Sequence, residues 1–210
     1  MTHKYHKISN IYIRDIENQN RLCEGAFNKP AFEYLKDNEW EFTEKIDGTN
    51  IRVCWDGYKV TFQGRTDKAI IPKELLTRLE ELFGTPEAEE IFEQSFGTTE
   101  VTLYGEGYGG KIQSGKKYRE NEDFILFDVM FGDDSYANRE YVENVAKMFN
   151  IDCVPVVLKG TLQEGVDFVK THPESTIGNC IMEGVVGRPS IELSHRNERV
   201  IVKIKCRDFK

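Results

Sequence analysis

The chain has 210 residues, of which 39% are hydrophobic and 30% are charged, so it is long enough to bury a substantial core. It has no apolar run near the roughly 20 residues that a membrane helix needs, and its N-terminus lacks the apolar core of a signal peptide. Its formal net charge of −8 argues against non-specific nucleic-acid binding by the chain as a whole. These features predict a globular protein of the cytoplasm, or of the host cytoplasm if the chain is viral, with no membrane partner.

The first predicted elements form a hairpin-like pair. A strand is expected from Glu41 to Val53, followed by a turn at Asp56-Gly57 and a returning strand over residues 59–62. These residues alternate between apolar and polar types over part of their length, as half-buried strands do.

Two helices are predicted after this pair. The first covers residues 72–83 and ends before Gly84, and the second begins at Pro86 and ends near Phe96. Thr85 is a suitable N-cap for the second helix, because its hydroxyl can accept a hydrogen bond from the first turn.

The remaining chain mixes strands and helices. Ser135 is expected to cap a helix that ends near Phe149, and Thr161 with Glu164 forms a capping box for another helix. Strands are predicted near residues 101–106, 124–131, 181–187 and 200–205. The pattern predicts the α+β class, with antiparallel sheets flanked by helices. Since no repeat or linker interrupts the chain, a single domain over residues 1–210 is expected.

The most informative motif is Lys45-Ile46-Asp47-Gly48, preceded by Glu44. A lysine amine attacks phosphorus only when it is neutral, and reaching neutrality at pH 7 costs about 4.6 kcal/mol from an ordinary pKa. Neighbouring cations and desolvation lower that cost. K-x-D-G alone is weak evidence, because it also occurs in ordinary loops.

Later segments contain the cations that such a lysine needs. Arg65 follows the motif by twenty residues, and Lys203 and Lys205 alternate with apolar residues near the C-terminus. Strand geometry places Lys203 and Lys205 on one face, which suits a phosphate clamp. The same pattern is also typical of an edge strand with solvated lysines. The wider basic segment comprises Arg199, Lys203, Lys205, Arg207 and Lys210.

Three further residues have two interpretations each. Glu183 lies in an apolar segment, where it either binds hydrated Mg²⁺ or forms a structural salt bridge. Glu106 lies among glycines that either admit a ribose or phosphate, or form a flexible turn. Phe127 lies in an apolar run and is either a core residue or a platform on which a base stacks.

Taken in order, these segments resemble the covalent nucleotidyltransferase superfamily of ligases and mRNA capping enzymes. Within it, the chain is most similar to ATP-dependent RNA ligases of the bacteriophage RNA ligase 2 type. The resemblance covers residues 44–205 and rests on Glu44-Lys45-Ile46-Asp47-Gly48-Thr49-Asn50, Arg65, Tyr104-Gly105-Glu106-Gly107, Phe127-Asp128, Glu183-Gly184-Val185-Val186 and Lys203-Ile204-Lys205. It implies a nucleotidyltransferase domain, ATP-grasp-like, of the kind that performs ligase adenylylation.

The resemblance also implies a role for each motif. Lys45 would form a phosphoramidate with AMP, Glu106 would contact the ribose hydroxyls, and Phe127 would stack on adenine. Arg65 would lie near the ribose and the incoming RNA end, and Glu183 would organise the metal ion. The implied catalytic residues are Lys45, Arg65, Glu183, Lys203 and Lys205. The implied nucleotide-binding residues are Glu44, Lys45, Ile46, Asp47, Arg65, Glu106, Phe127, Glu183, Lys203 and Lys205.

By this resemblance the cofactors are ATP, as the AMP donor, and Mg²⁺ or Mn²⁺. The expected partner is RNA with 5′-phosphate and 3′-hydroxyl ends. The family usually adds a C-terminal accessory domain, helical or an OB fold, which is expected to be absent here. An accessory protein would then help to bind RNA. Two alternatives stay open at this point: another lysyl-nucleotide transferase (a minimal DNA ligase or a capping guanylyltransferase), and a non-catalytic RNA-binding scaffold.

Overall fold

A computed structural model describes residues 4–17, 19–132, 135–195 and 198–209. The described chain forms two compact units. The central unit contains residues 47–154 with residues 4–6, and the terminal unit contains residues 7–46 and 155–209. The chain leaves the terminal unit after Ile46 and enters the central unit at Asp47, so the lysine motif contributes residues to both.

The described residues contain fifteen strands. In chain order they are β1 Ser9–Asn10, β2 Tyr12–Asp15, β3 Arg21–Phe27, β4 Trp40–Lys45, β5 Thr49–Trp55, β6 Val60–Gly64, β7 Val101–Tyr108, β8 Asp123–Phe131, β9 Ser135–Tyr136, β10 Asp152–Cys153, β11 Val156–Gly160, β12 Gly184–Pro189, β13 Ser194–His195, β14 Glu198–Arg199 and β15 Val202–Lys205.

The same residues contain five α-helices, namely α1 Pro30–Tyr34, α2 Lys73–Phe83, α3 Pro86–Phe96, α4 Arg139–Met148 and α5 Leu162–Lys170. Two short 3₁₀-helices lie at Gly115–Lys117 and Cys206–Phe209. In the described part of the chain, no helix has the length and apolar character that crossing a membrane requires.

The terminal unit is built on a five-stranded sheet with the order β1-β15-β12-β4-β11. Its interior strands pair antiparallel, whereas the short edge strand β1 runs parallel to β15. Helix α5 packs on one face of this sheet, where Phe42, Val185, Val202 and Ile204 are buried together with Val166 of the helix. That apolar packing leaves the opposite face of β4, β12 and β15 available for polar side chains.

The central unit is built on a sheet with the order β10-β8-β7-β5-β6, and the short strand β9 pairs antiparallel with β8. One face of this sheet is buried against helices α2, α3 and α4. Val53, Leu103 and Leu126 form this core from the sheet, and Phe83 and Phe92 contribute to it from the helices. The alternation of side chains therefore points Asn50, Arg52 and Glu106 to the opposite face.

The α+β class with mainly antiparallel sheets and flanking helices is confirmed. Thr85 accepts a hydrogen bond from the amide of Ala88 at 3.2 Å, so the cap of α3 is also confirmed. The capping box of Thr161 and Glu164 at the start of α5 is present as predicted. The single-domain prediction stays a prediction.

Three predicted boundaries are wrong. The strand expected over residues 41–53 is two strands, since β4 ends at Lys45 in one sheet and β5 begins at Thr49 in another. Ser135 does not cap a helix but lies in β9, and Asn138 caps α4 by accepting from the amide of Tyr141. The strand expected from Ile181 begins at Gly184, so Glu183 lies just before it.

Candidate active site

The terminal unit brings three of the predicted lysines to one face of its sheet, which we call the lysine face. Gly184 of β12 is opposite Lys205 of β15 on one side and opposite Lys45 of β4 on the other. Directly opposed residues of antiparallel strands project to the same side. Lys203 shares that side because it lies two residues before Lys205. The lysine face thus has Lys45 and Lys205 flanking a residue without a side chain.

The carboxylate of Glu183 occupies the space between these two lysines. Its Oε2 accepts a hydrogen bond from Lys45 Nζ at 2.5 Å, and its Oε1 accepts one from Lys205 Nζ at 2.5 Å. The side chains of Lys45, Glu183 and Lys205 are only 23%, 16% and 14% exposed, respectively. Charge-assisted hydrogen bonds of this kind are roughly twice as strong as neutral ones. The three side chains therefore form one fixed unit.

The pKa of Glu183 reflects two opposing effects. Burial raises the pKa of the carboxyl, while the ammonium groups of Lys45 and Lys205 lower it by charge and by hydrogen bonding. The cations prevail, so the pKa stays below its usual value. Glu183 is consequently a carboxylate at neutral pH.

Lys203 is the cation that the surrounding charges disfavour most clearly. The pKa of its amine is lowered to about 8, mainly by burial and then by the nearby charges of Lys205, Lys45 and Lys7. The carboxylate of Glu183 acts in the opposite direction. A phosphate bound to this face would relieve the repulsion between the ammonium groups, because it supplies negative charge.

Gly184 has a backbone conformation that makes the close approach of the strands possible. Its φ is +152°, and a Cβ at this position would lie 2.0 Å from the carbonyl oxygen of Ile204. A side chain would therefore push β15 away from β12. The glycine thus allows β15, and Lys205 with it, to lie close to β12.

Glu44 points to the face of β4 opposite Lys45. It is 2% exposed, and its carboxylate accepts hydrogen bonds from the hydroxyls of Ser175 and Thr176 at 2.5 and 2.7 Å and from the amide of Thr176 at 2.9 Å. Its side chain therefore anchors the segment that leads to Glu183. The predicted contact of Glu44 with the nucleotide, and that of the buried Ile46, stay predictions.

The rest of the motif belongs to the central unit. The amide of Asp47 donates to the hydroxyl of Tyr118 at 3.3 Å. A Cβ on Gly48 would lie 2.3 Å from the carbonyl oxygen of Gly107 and 2.9 Å from Cγ of Glu106. The glycine therefore allows this turn to lie directly against the predicted ribose-binding segment of β7.

Asn50 is a site residue to which the sequence analysis assigned no role. It is directly opposite Glu106 in the pairing of β5 with β7. Its carboxamide oxygen is buried and has no hydrogen-bond partner among the described residues. Because an unpaired buried acceptor is costly, this oxygen is suited to accept a hydrogen bond from a ligand hydroxyl beside Glu106. Its position within the motif was the only sequence signal for this.

Arg65 is exposed, and a buried arginine shapes the turn that carries it. Arg52 is fully buried, and its guanidinium donates to the carbonyl oxygen of Gly64 and to the carboxylate of Asp67, each at 2.9 Å. Asp67 also pairs with Lys4 at 3.3 Å. Arg52 thus holds the residues on both sides of Arg65, a role that the sequence analysis missed because nothing in the sequence indicated its partners.

Phe127 lies at a β-bulge in β8. Tyr104 is paired with Asp128 and Gly105 with Leu126, so the register between β7 and β8 shifts at Phe127. It is half-buried, and its ring meets that of Tyr5 edge-on at a centroid distance of 5.1 Å. A bulge commonly redirects a side chain, so Phe127 is displaced from the regular core pattern of its strand. Its stacking on adenine stays a prediction.

A divalent cation at Glu183 would depend on one protein carboxylate. Within the described residues, no group of three or more His, Cys, Asp or Glu side chains could hold a metal ion. Mg²⁺ is commonly bound through one or two carboxylates together with substrate phosphates and water. Glu183 fits that mode of binding, since it lies on the same face as the lysines that are expected to bind phosphate.

Comparison with known proteins places this fold and site in a family. Residues 38–205 match the RNA ligase family, and the chain therefore belongs to it. The fold is similar to that of a Naegleria gruberi RNA ligase, with a TM-score of 0.66 and 18% identity to a variant in the apo form. That alignment covers 96% of this chain and 57% of the other.

Other structures of the Naegleria gruberi RNA ligase agree with this. A lysine-to-alanine variant with ATP and Mn has a TM-score of 0.66 and 18% identity, over 94% of this chain and 56% of the other. The ligase with PPi has a TM-score of 0.66 and 19% identity, over the same shares. The chain spans a little more than half the length of these proteins, and at this identity the likeness establishes the fold.

Replacing Gly184 with alanine should destabilise the protein by about 2–4 kcal/mol, because it adds a steric clash and a strained backbone conformation. Urea denaturation would measure the change in the free energy of unfolding. Gly25→Ala is a matched control, since Gly25 also has a positive φ (+84°) but its Cβ would meet no atom within 4 Å. Equal losses in the two variants would contradict the proposed clash with β15.

The lowered pKa of Lys203 predicts a pH-dependent stability. Between about pH 8 and the ordinary lysine pKa of about 10.4, the unfolded chain binds more protons at this residue than the folded protein does. The free energy of unfolding should therefore rise with pH in this window relative to Lys203→Met, and the destabilising contribution should be complete below pH 8. Urea titrations from pH 7 to 10 would measure this. A constant difference between wild type and Lys203→Met, as expected for exposed Lys36→Met, would contradict it.

Proposed function

We propose that the protein is an ATP-dependent RNA ligase that acts through a covalent lysyl-AMP intermediate at Lys45. The observation that carries this proposal is the arrangement of Lys45, Glu183 and Lys205, joined by hydrogen bonds of 2.5 Å on the lysine face. Membership of the RNA ligase family supports it. A lysine serving only as a structural cation would not need other lysines on the same face.

In the first step, Lys45 Nζ loses a proton and its lone pair attacks the α-phosphorus of ATP. The bond from the α-phosphorus to the bridging oxygen breaks, and the electron pair leaves with pyrophosphate. Such in-line displacement depends mainly on positioning and on charge stabilisation. Lys203 and Lys205 supply positive charge where negative charge develops on the phosphate oxygens.

Glu183 controls the lysines before the nucleotide binds. Its carboxylate keeps Lys45 and Lys205 apart and oriented, which avoids direct repulsion between two ammonium groups. The attack by Lys45 requires that its hydrogen bond to Glu183 be released. A divalent ion held by Glu183 would neutralise phosphate charge and compete with Lys45 for the carboxylate.

In the second step, an oxygen of an RNA 5′-phosphate attacks the same phosphorus and the phosphoramidate bond to Nζ breaks. In the third, an RNA 3′-hydroxyl attacks the 5′-phosphorus, loses its proton and displaces AMP. Arg65 is assigned to the RNA end because it is exposed on a turn that Arg52 holds rigidly. A planar guanidinium is well suited to bind phosphate.

ATP with Mg²⁺ or Mn²⁺ is proposed as the cofactor set. Structures of the similar Naegleria gruberi RNA ligase contain ATP and Mn or AMP and Mn, which supports this choice.

In the same proposal, Glu106 and Asn50 contact the ribose, and Phe127 stacks on the adenine. Because the formal net charge of −8 disfavours non-specific binding of RNA, we further propose that an accessory protein contributes to RNA binding. The proposed location is the cytoplasm.

Incubation with ATP and Mg²⁺ should add one AMP to the wild-type protein, and intact-mass spectrometry would detect the gain. Lys45→Ala should gain nothing, and peptide mapping should locate the adduct on Lys45. The variant keeps the pair of Glu183 with Lys205, so it should fold. Incubation with GTP in place of ATP would distinguish adenylyl transfer from guanylyl transfer. Absence of a gain in wild-type protein stripped of AMP would refute the proposal.

Arg65→Ala should slow the sealing of RNA ends by about tenfold or more, as expected for the loss of a charge-assisted phosphate contact. The labelling of Lys45 by ATP should change less. Single-turnover rates for both steps would be compared. Lys68→Ala is a suitable control, because Lys68 is an exposed cation close to Arg65 in sequence. Equal losses in labelling and sealing would show that Arg65 does not act mainly on the RNA end.

A further inference from the structure

The central unit contains a basic segment that has no role in the proposed reaction so far. Residues 109–119 include no acidic residue but four basic ones, namely Lys111, Lys116, Lys117 and Arg119. Because the whole chain has a net charge of −8, this composition is a local exception. The segment connects β7 to β8 within the central unit, and we call it the basic loop.

The backbone of the basic loop has a compact, well-anchored shape. A Cβ on Gly115 would clash with the carbonyl oxygen of Gly109, so two parts of the loop lie in direct contact. The side chain of Ile112 packs in the core of the central unit. Tyr118 is buried, and its hydroxyl accepts a hydrogen bond from the amide of Asp47 at 3.3 Å. The loop is therefore held in place beside a residue of the lysine motif.

Three lysines of the basic loop carry uncompensated charge. Lys111, Lys116 and Lys117 are all exposed, and none of them has an ion-pair partner among the described residues. Arg119 differs from them, because its guanidinium contacts the carboxylate of Asp123. Since the three lysines make no such contact, the loop presents a positive surface that the fold itself does not use.

A cavity of about 690 Å³ adjoins the loop but has balanced charge. Its lining contains three basic and three acidic residues, namely Lys73, Arg78, Arg119, Glu74, Glu81 and Glu122. Both of its arginines also contact the carboxylate of Asp123. The cavity therefore attracts neither sign of charge strongly, and the positive surface is confined to the three lysines.

The C-terminal basic segment has no comparable surface. Lys203 and Lys205 are assigned to the phosphates of the nucleotide, and Arg199 is engaged in an ion pair. Arg207 is the one exposed cation among its described residues. The predicted basic residue Lys210 lies outside the described residues. The basic loop is consequently the better candidate for a larger anionic partner.

The backbone of RNA matches several separate ammonium groups on an exposed surface. It carries one phosphate per nucleotide, and a lysine binds phosphate as a point charge with little demand on geometry. An acidic protein is the competing partner, but exposed pairs of ammonium and carboxylate groups contribute little to affinity. Contacts with nucleic-acid phosphates also release condensed counterions, which is a substantial gain. Membership of the RNA ligase family favours the same choice.

We propose that Lys111, Lys116 and Lys117 bind the sugar–phosphate backbone of the RNA substrate. The assignment rests on the proposed function. Because phosphate contacts carry no direct sequence information, this binding is independent of base sequence. It acts in the second and third steps, in which RNA is present, and has no part in the attack of Lys45 on ATP.

Fluorescence anisotropy with labelled 5′-phosphorylated RNA, titrated at several salt concentrations, tests the proposal. The triple variant Lys111→Gln, Lys116→Gln, Lys117→Gln should bind RNA about tenfold or more weakly at low salt. The slope of log K against log salt concentration should fall in magnitude by about 2–3, since each phosphate contact contributes roughly 0.7–0.9.

A second triple variant provides the matched control. Lys36→Gln, Lys59→Gln, Lys147→Gln has the same change in net charge at other exposed positions. It should keep the salt slope of the wild type, because these lysines lie outside the basic loop. Thermal unfolding would verify that both triple variants are folded.

Rate measurements separate this surface from the nucleotide chemistry. The loop variant should label Lys45 with AMP at the wild-type rate, but its sealing reaction should need a higher RNA concentration to reach half its maximal rate. An unchanged RNA affinity and salt slope in the folded loop variant would overturn the proposal and favour an acidic protein as the partner. Equal losses in the control variant would also overturn it, because they would reflect net charge alone. If wild type gains no AMP, the proposed function fails, whereas anisotropy still decides whether the loop binds RNA.

Discussion

The candidate site depends on the placement of one carboxylate between two ammonium groups in a poorly exposed position. Without Glu183, Lys45 and Lys205 would face each other as like charges beside Lys203. Without both lysines, the carboxylate would be desolvated and unpaired, which is strongly unfavourable. The three groups therefore stabilise one another as a set. This mutual dependence keeps the nucleophile in a defined position before any substrate binds.

That set exists because three strands far apart in sequence meet in register. Gly184 pairs with Lys45 and with Lys205, and its missing side chain allows β15 to lie close to β12. The apolar face of the same strands packs against α5, and this packing fixes the register between the strands. Packing on one face thus determines the chemistry on the other. A one-residue slip of β15 would move its lysines into the core.

The lysine motif divides its residues among different tasks. Lys45 lies on the lysine face, Glu44 anchors the segment at Ser175 and Thr176 on the opposite face, and Asp47 and Gly48 begin the central unit. Neighbours in sequence therefore act in different environments. In the central unit, the buried Arg52 binds residues of a neighbouring turn, Gly64 and Asp67.

The sequence by itself determined the class of fold and the helix caps at Thr85 and Thr161. It also indicated the set of residues that includes Lys45, Glu183, Lys203 and Lys205. Capping and the alternation of side chains are local properties of the chain, so the sequence alone reveals them. Only the tertiary structure decided which face each residue occupies. The break after Lys45, the start of β12 at Gly184, the bulge at Phe127 and the unpaired oxygen of Asn50 all result from pairing between distant strands. Such pairing depends on packing across the sheet, and no local pattern specifies it.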